Sequence, residues 1–152
     1  MLIALTEDPR STVVALAEKL GVSRNTAQAR MARLEAAHAF LPFDRRIDPK
    51  AMGYSLTAFI SVHVEQRMLG AIVEELAGIP EIVQAHGLSG QTDLLLVVVC
   101  IDAEDLFRVN GRIRDCTGVE RTESSLVMSE LIPFRMKPLL ERGVPAVREH
   151  RA

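Results

Sequence analysis

The sequence has few of the residues that build metal sites, disulfide frameworks or nucleophilic active sites. Its only two cysteines, Cys100 and Cys116, have neither CxxC spacing nor a nearby histidine. Its four histidines are scattered along the chain without the spacing of metal ligands, and no Ser/His/Asp or Cys/His arrangement can be placed. We therefore expect no metal site, no cofactor and no catalytic residue, and we expect both thiols in the core of a protein from a reducing compartment.

Long hydrophobic runs are also missing. The longest apolar stretch, residues 94–101, is too short to cross a bilayer. The N-terminus lacks the basic flank and the cleavage site of a signal peptide. These features predict a cytoplasmic protein without a membrane partner. With 152 residues and 48% hydrophobic content, the chain has room for one domain or two small ones with a buried core.

The most informative pattern lies in residues 16–34, where two helices are predicted on either side of a glycine turn. The first helix repeats apolar residues at helical spacing: Val13, Leu16, Ala17 and Leu20. Gly21 supplies the turn, and Ser23 can cap the second helix. The second helix carries one apolar stripe that must pack on the first: Ala27, Met31 and Leu34. This spacing is typical of a helix-turn-helix unit, whose second helix reads DNA.

The opposite side of the second helix carries side chains that fit a DNA major groove. Arginine holds guanine or phosphate with two hydrogen bonds, and asparagine and glutamine do the same for adenine. The residues predicted to contact DNA from this helix are Ser23, Arg24, Asn25, Thr26, Gln28, Arg30 and Arg33. The alternative is an α-hairpin that packs into a core and keeps solvated arginines on its outer side.

A short hairpin, or wing, is predicted after the second helix, over residues 39–47. Arg45 and Arg46 lie where a wing would meet phosphates, and a solvated basic turn is the alternative for them. Residues 1–50 carry eight Lys or Arg and six Asp or Glu, a net charge of +2; the whole chain is −2, so the remainder is −4. A basic reader attached to an acidic second unit favours DNA binding through a local surface.

Residues 49–53 are punctuated by proline and glycine, and we place a linker there. Beyond it the pattern predicts strands at 54–65, 82–88, 93–101 and 119–132, and helices at 68–77 and 103–115. The expected fold class is α+β, with an N-terminal winged helix-turn-helix in residues 1–48 and a ferredoxin-like β-α-β-β-α-β domain in residues 54–132. Residues 133–152 are expected to form an irregular tail with one short helix near Leu139.

The strand at 93–101 does not alternate between apolar and polar residues, which suggests that both of its faces are covered. The helices would cover one face, and we expect the sheet of a second copy on the other. The two-fold symmetry of such a homodimer would place two reading helices on one double-stranded DNA.

The turn between the second and third strands is a candidate site for a small molecule. Glycines allow backbone N–H groups to approach a carboxylate closely, and an aspartate suits an ammonium group. The candidate residues are Gly87, Ser89, Gly90, Gln91, Thr92 and Asp93. An ordinary glycine hairpin, in which the aspartate caps its own backbone, is the alternative.

These features together resemble the Lrp/AsnC, or feast/famine, family of transcription regulators, over about residues 2–132. The resemblance rests on the turn at residues 20–23, the end of the second helix at residues 33–35, and the spacing of Gly87, Gly90 and Asp93. It implies a sequence-specific DNA-binding regulator whose second domain binds an amino-acid effector and assembles dimers into tetramers or octamers. It also implies a pocket between subunits, to which the last strand of a neighbour, with Thr122 and Ser124, would contribute.

The chain departs from the family pattern after the reading helix, where His38, Ala39 and Phe40 replace a glycine. Two other functions stay open. A metabolite sensor or interaction module that does not bind DNA is one of them. An enzyme similar to the sirohaem decarboxylases is the other, but their wing carries histidine and this segment has no histidine after His38.

Overall fold

The computed structural model describes residues 1–41 and 47–143, which fall into two compact units. One unit contains the described parts of Met1–Arg45 and Leu131–Ala152, and the other contains the described part of Arg46–Glu130. The chain therefore passes from the first unit to the second and then returns to the first.

From α2 onward, the α-helices and strands of the described residues follow the predicted order, and a short helix that was not predicted precedes them. The helices are α1 (Leu2–Glu7), α2 (Val13–Leu20), α3 (Arg24–Ala36), α4 (Leu69–Ala77), α5 (Ala103–Asp115) and α6 (Lys137–Arg142). The strands are β1 (Leu56–Val64), β2 (Ile82–Gly87), β3 (Leu94–Cys100) and β4 (Val119–Leu126). Short 3₁₀ helices cover Pro49–Met52 and Gln66–Met68. Helix α6 lies where a short helix near Leu139 was expected.

The turn between α2 and α3 is fixed by capping hydrogen bonds. Gly21 has φ 61° and ψ 36°, and its N–H donates to the carbonyl of Glu18 at 3.2 Å. The hydroxyl of Ser23 accepts a hydrogen bond from the N–H of Thr26 at 3.1 Å and so caps the start of α3. The side chain of Thr12 caps α2 in the same way. The predicted helix-turn-helix is thus present, with Gly21 and Ser23 in the predicted roles.

Helix α3 ends in a left-handed residue that is not glycine. His38 has φ 49°, and its N–H donates to the carbonyl of Glu35 at 2.9 Å. The next N–H, of Ala39, reaches back to the carbonyl of Leu34 at 2.9 Å, which completes a Schellman-type cap. Glycine is preferred at this position because a Cβ atom is strained at positive φ. The exposed His38 therefore strains the end of α3.

The second unit is built on a four-stranded antiparallel sheet with the order β2-β3-β1-β4. Helix α4 connects β1 to β2, and helix α5 connects β3 to β4. Strand β1 pairs with β3 on one side and with β4 on the other, so it lies in the interior of the sheet. This arrangement confirms the predicted β-α-β-β-α-β order.

The core of this unit lies between one face of the sheet and the two helices. It contains Ile60, Val62, Ile72, Leu76, Leu96, Val98, Cys100, Val109 and Ile113. Each fully buried aliphatic side chain of this kind contributes about 1.5–3 kcal/mol to the free energy of unfolding. Both cysteines are free and buried, as predicted, and burial raises the pKa of the Cys100 thiol to about 11. Neither thiol is therefore activated as a nucleophile.

The last strand is shorter than the sequence pattern predicts. Strand β4 ends at Leu126, whereas the alternation of residues 119–132 predicts a strand up to Ile132. Leu126 pairs with Ala58, and the N–H of Val127 makes one more hydrogen bond, to Thr57, at 2.9 Å. Strand β1 begins one residue earlier, at Leu56, so the backbone of β4 has no partner strand beyond this point. The alternation of apolar and polar residues therefore extends beyond the last residue that can pair with β1.

The strain at His38 gives a prediction about stability. We expect His38→Gly to raise the free energy of unfolding by about 1 kcal/mol, because glycine adopts positive φ without strain and the exposed imidazole is no loss. Ala37→Gly is the matched control, since Ala37 has φ −83° and gains nothing from glycine. Urea unfolding followed by circular dichroism measures both variants. A His38→Gly protein no more stable than the wild type would contradict the strain.

Candidate nucleic-acid interface and small-molecule site

Helix α3 leaves almost its whole surface accessible. Ala27 is its only buried residue, and Met31 and Leu34 are partly buried on the same side. The residues on the other sides are exposed, including Arg24, Asn25, Thr26, Gln28, Ala29, Arg30, Ala32 and Arg33. The predicted apolar stripe and the predicted polar side are therefore where the 3.6-residue period places them.

Two of the predicted DNA contacts also act within the helix itself. The hydroxyl of Ser23 accepts from the N–H of Thr26, and the two hydroxyl oxygens lie 2.9 Å apart. These side chains therefore hold the first turn of α3 in shape. Asn25 and Gln28 lie on the exposed surface of the same helix, where their amides can reach a groove.

The arginines at the far end of α3 border a groove in the same unit. Arg30 and Arg33 line it with Leu34, with residues 1–3 at the start of the chain, and with Leu140 of α6. Its volume is about 550 Å³. Among the described residues, neither arginine forms an ion pair within 4 Å. No pattern in the sequence indicates that α6 lies beside them.

The predicted wing falls mostly outside the described residues. Its centre, residues 42–46, includes Arg45 and Arg46, so their phosphate contacts stay a prediction.

The turn between β2 and β3 is anchored to the neighbouring strand β1. The N–H of Leu88 donates to the carbonyl of Asp93 at 2.8 Å and closes the turn. One carboxylate oxygen of Asp93 accepts from the N–H of Val64 at 2.9 Å, and the other accepts from the side-chain amide of Gln66. These hydrogen bonds hold the pKa of the Asp93 carboxyl below its usual value, mainly through Val64. Asp93 thus caps another strand and not its own turn, a role that the sequence did not reveal.

The other candidate residues of the turn are accessible. Ser89, Gly90 and Gln91 are exposed, and Thr92 is partly buried. Gly90 has φ 145°, a conformation that favours glycine. The turn therefore presents hydroxyl, amide and backbone groups on a base held by Asp93.

Thr122 and Ser124 do not meet this turn within one subunit. Both lie on β4, opposite Val62 and Ile60 of β1. Val62 also pairs with Leu94, the residue next to Asp93, so β1 separates β4 from β3. Two strand spacings correspond to about 10 Å. Within one subunit, strand β1 therefore lies between the two sets of candidate residues.

The described residues contain neither a metal-binding cluster nor a membrane-spanning helix. Within residues 1–41 and 47–143, no cluster of histidine, cysteine and acidic side chains could hold a metal ion. No helix in these ranges is long and apolar enough to span a membrane.

Each of the two units matches the model of a known protein family. The model of the AsnC-type helix-turn-helix domain matches residues 1–35, and the model of the Lrp/AsnC ligand-binding domain matches residues 57–136. The chain belongs to the Lrp/AsnC family. It is therefore a helix-turn-helix transcription regulator with a ligand-binding domain, as the sequence predicts.

Individual proteins agree with this assignment to the Lrp/AsnC family. The chain is 33% identical over 135 residues to the transcriptional regulator AldR of Mycolicibacterium smegmatis, covering 86% of this chain and 79% of AldR. A solved complex of the regulator NMB0573 from Neisseria meningitidis with L-methionine superposes with a TM-score of 0.79, at 26% identity, over 87% of this chain and 88% of that one. The feast or famine regulatory protein Rv3291c of M. tuberculosis, complexed with L-methionine, also has a TM-score of 0.79, at 27% identity, over 89% and 92%. These relatives are transcription regulators and not enzymes, which argues against the decarboxylase alternative.

Proposed function

We propose that this regulator binds double-stranded DNA by placing α3 in the major groove. The observation that carries this proposal is the helix itself: it has 13 residues, is capped at both ends, and buries only Ala27. The base and phosphate contacts would come from Ser23, Arg24, Asn25, Thr26, Gln28, Arg30 and Arg33. Arg45 and Arg46 would contact phosphates next to this groove. The functional division would follow residues 1–48 as reader, 49–53 as linker and 54–132 as effector and assembly domain.

A homodimer would form through the sheet face that the helices leave open. Phe59 of β1 is 42% exposed and pairs with Val97 of β3, so the two side chains share this face. Leu95 lies on the same face and is only partly buried. Such an apolar surface favours cover by a second copy of the sheet, and a two-fold axis would bring two α3 helices to one DNA. Tetramers or octamers would arise by further association of dimers.

The effector would be an amino acid bound between subunits. Two structural neighbours, NMB0573 and Rv3291c, were solved with L-methionine. The backbone and side chains of Gly87, Ser89, Gly90, Gln91 and Thr92 would hold the carboxylate, and Thr122 and Ser124 of a neighbour would complete the pocket. Each oxygen of Asp93 has a further lone pair beyond its bond to Val64 or Gln66, which leaves room for an ammonium group.

Replacing Arg33 tests the proposed DNA contact. We expect Arg33→Ala to weaken binding to the duplex upstream of the protein's own gene by about tenfold, because a bidentate base contact is worth about 1–3 kcal/mol. Binding to a random duplex should weaken less. Arg33→Lys is the control, since lysine keeps the charge but loses the bidentate geometry. Mobility-shift titrations measure each Kd, and an equal loss on both duplexes would assign Arg33 to the DNA backbone.

The shared pocket is tested by subunit complementation. We expect Asp93→Asn and Thr122→Val each to abolish L-amino-acid binding in calorimetric titrations with a panel of amino acids. Asparagine is used because its carbonyl can still accept from Val64 and preserve the turn. When the two variants are mixed and allowed to exchange subunits, some pockets receive both intact sides, and binding should return in part. Mixtures that stay inactive after subunit exchange, although the wild type binds, would contradict a pocket between subunits.

A further inference from the structure

The last described helix, α6, packs against the first helix of the chain. Glu7, the last residue of α1, places one carboxylate oxygen 2.6 Å from Nζ of Lys137 in α6. Its other oxygen lies 2.8 Å from Nζ of Lys19 in α2. One carboxylate therefore connects α1 with the next helix, α2, and with α6, whose Lys137 is 130 residues away in the sequence.

The apolar side of α6 faces the same region. Leu140 is partly buried and lines the groove with residues 1–3 and with Arg30, Arg33 and Leu34 of α3. The adjacent Leu139 is 57% exposed. Helix α6 therefore has an inner side, which contacts α1 and faces the far end of α3 across the groove, and an outer side in solvent.

These contacts matter because α1 and α3 each bury only one residue fully, Ala4 and Ala27. Helix α1 has six residues, too few for a helix to be stable without tertiary contacts. Helix α3 buries only Ala27 fully. Hydrogen bonds from Lys137 and Lys19 lower the pKa of Glu7 to about 2, so the carboxylate stays charged at neutral pH. Exposed ion pairs are weak, however, which means that Lys137 needs the packing of Leu140 beside it.

We propose that α6 is a positioning element of the DNA-reading helix, with Lys137 and Leu140 as its positioning residues. Helix α6 holds α1 through Glu7 and forms one wall of the groove beside Arg30 and Arg33, which restrains the end of α3 from which these arginines project. The C-terminal segment thus belongs to the reading unit, although it is separated from it in sequence by the whole ligand-binding domain. This inference rests on the proposed DNA contact of α3.

The test uses a double variant and a matched control in the full-length chain. Lys137→Glu with Leu140→Asp removes both inner contacts of α6. Arg142→Glu with Leu139→Asp makes the same changes of charge and polarity, but at two exposed residues of α6 that neither bind Glu7 nor line the groove. Lys137→Arg retains the ion pair and serves as the conservative variant.

Two measurements are compared across these proteins. Hydrogen exchange without DNA should be about tenfold faster in α1 and α3 of the first double variant, and unchanged in β1 and β3. The wild type should bind the upstream duplex more tightly than the random duplex. In the first double variant this preference, measured as the ratio of the two Kd values, should fall about tenfold, as for the loss of one base contact. Lys137→Arg should behave as the wild type, and the control double variant should keep the wild-type ratio.

The outcomes separate this inference from the proposed function. Unchanged exchange in α1 and α3 would show that α6 does not hold them and would overturn the proposal. Faster exchange with an unchanged DNA ratio would reduce α6 to a structural cover and would also overturn it. A wild type without preference for the upstream duplex would contradict the proposed function, while the exchange rates would still decide whether α6 holds α1 and α3.

Discussion

The small apolar contact area of α3 is the constraint on which the rest of the reading unit depends. Only Ala27 is fully buried, with Met31 and Leu34 partly buried beside it. A helix with so narrow a stripe gains little from the hydrophobic effect, so its position must be fixed by other contacts. The left-handed Gly21 and the cap at Ser23 fix its start. The other sides of α3 form a long polar surface that stays accessible to a binding partner.

In contrast to α3, the ligand-binding unit has a large buried apolar core. The core-facing side chains of its two central strands, β1 and β3, are buried under α4 and α5, and this core sets the register of the two strands. Register in turn places Asp93 beside the end of β1, where its carboxylate binds Val64 and Gln66. The polar turn is therefore rigid at its base and exposed at its tip, which suits a site that a second subunit completes.

Local signals in the sequence predicted much of this fold. Helix α5 has the predicted bounds because Asp102 caps it and because its apolar residues repeat at helical spacing. The turn at Gly21 and the stripe of α3 follow from the same local rules. Strand β4 was predicted too long because alternation does not reveal where the partner strand begins. Helix α1 has only six residues, which is too short for a periodic signal.

Local sequence patterns could not predict the long-range contacts. The bond from Asp93 to Val64 spans 29 residues, and the ion pair of Glu7 with Lys137 spans 130. Neither has a spacing rule, so Gln66 and α6 were missed as parts of the two candidate sites. The strain at His38 lies between these cases, because the missing glycine is visible in the sequence but its conformation is not.

The most direct test of the account is a fluorescence-anisotropy titration of the wild-type chain. The duplex upstream of its own gene is compared with a random duplex across a salt series, with and without each amino acid of a panel. We expect the chain to bind the upstream duplex more tightly than the random duplex. We also expect one amino acid of the panel to change this difference in affinity. Equal affinity for both duplexes at every salt concentration, unaffected by any amino acid, would contradict both expectations.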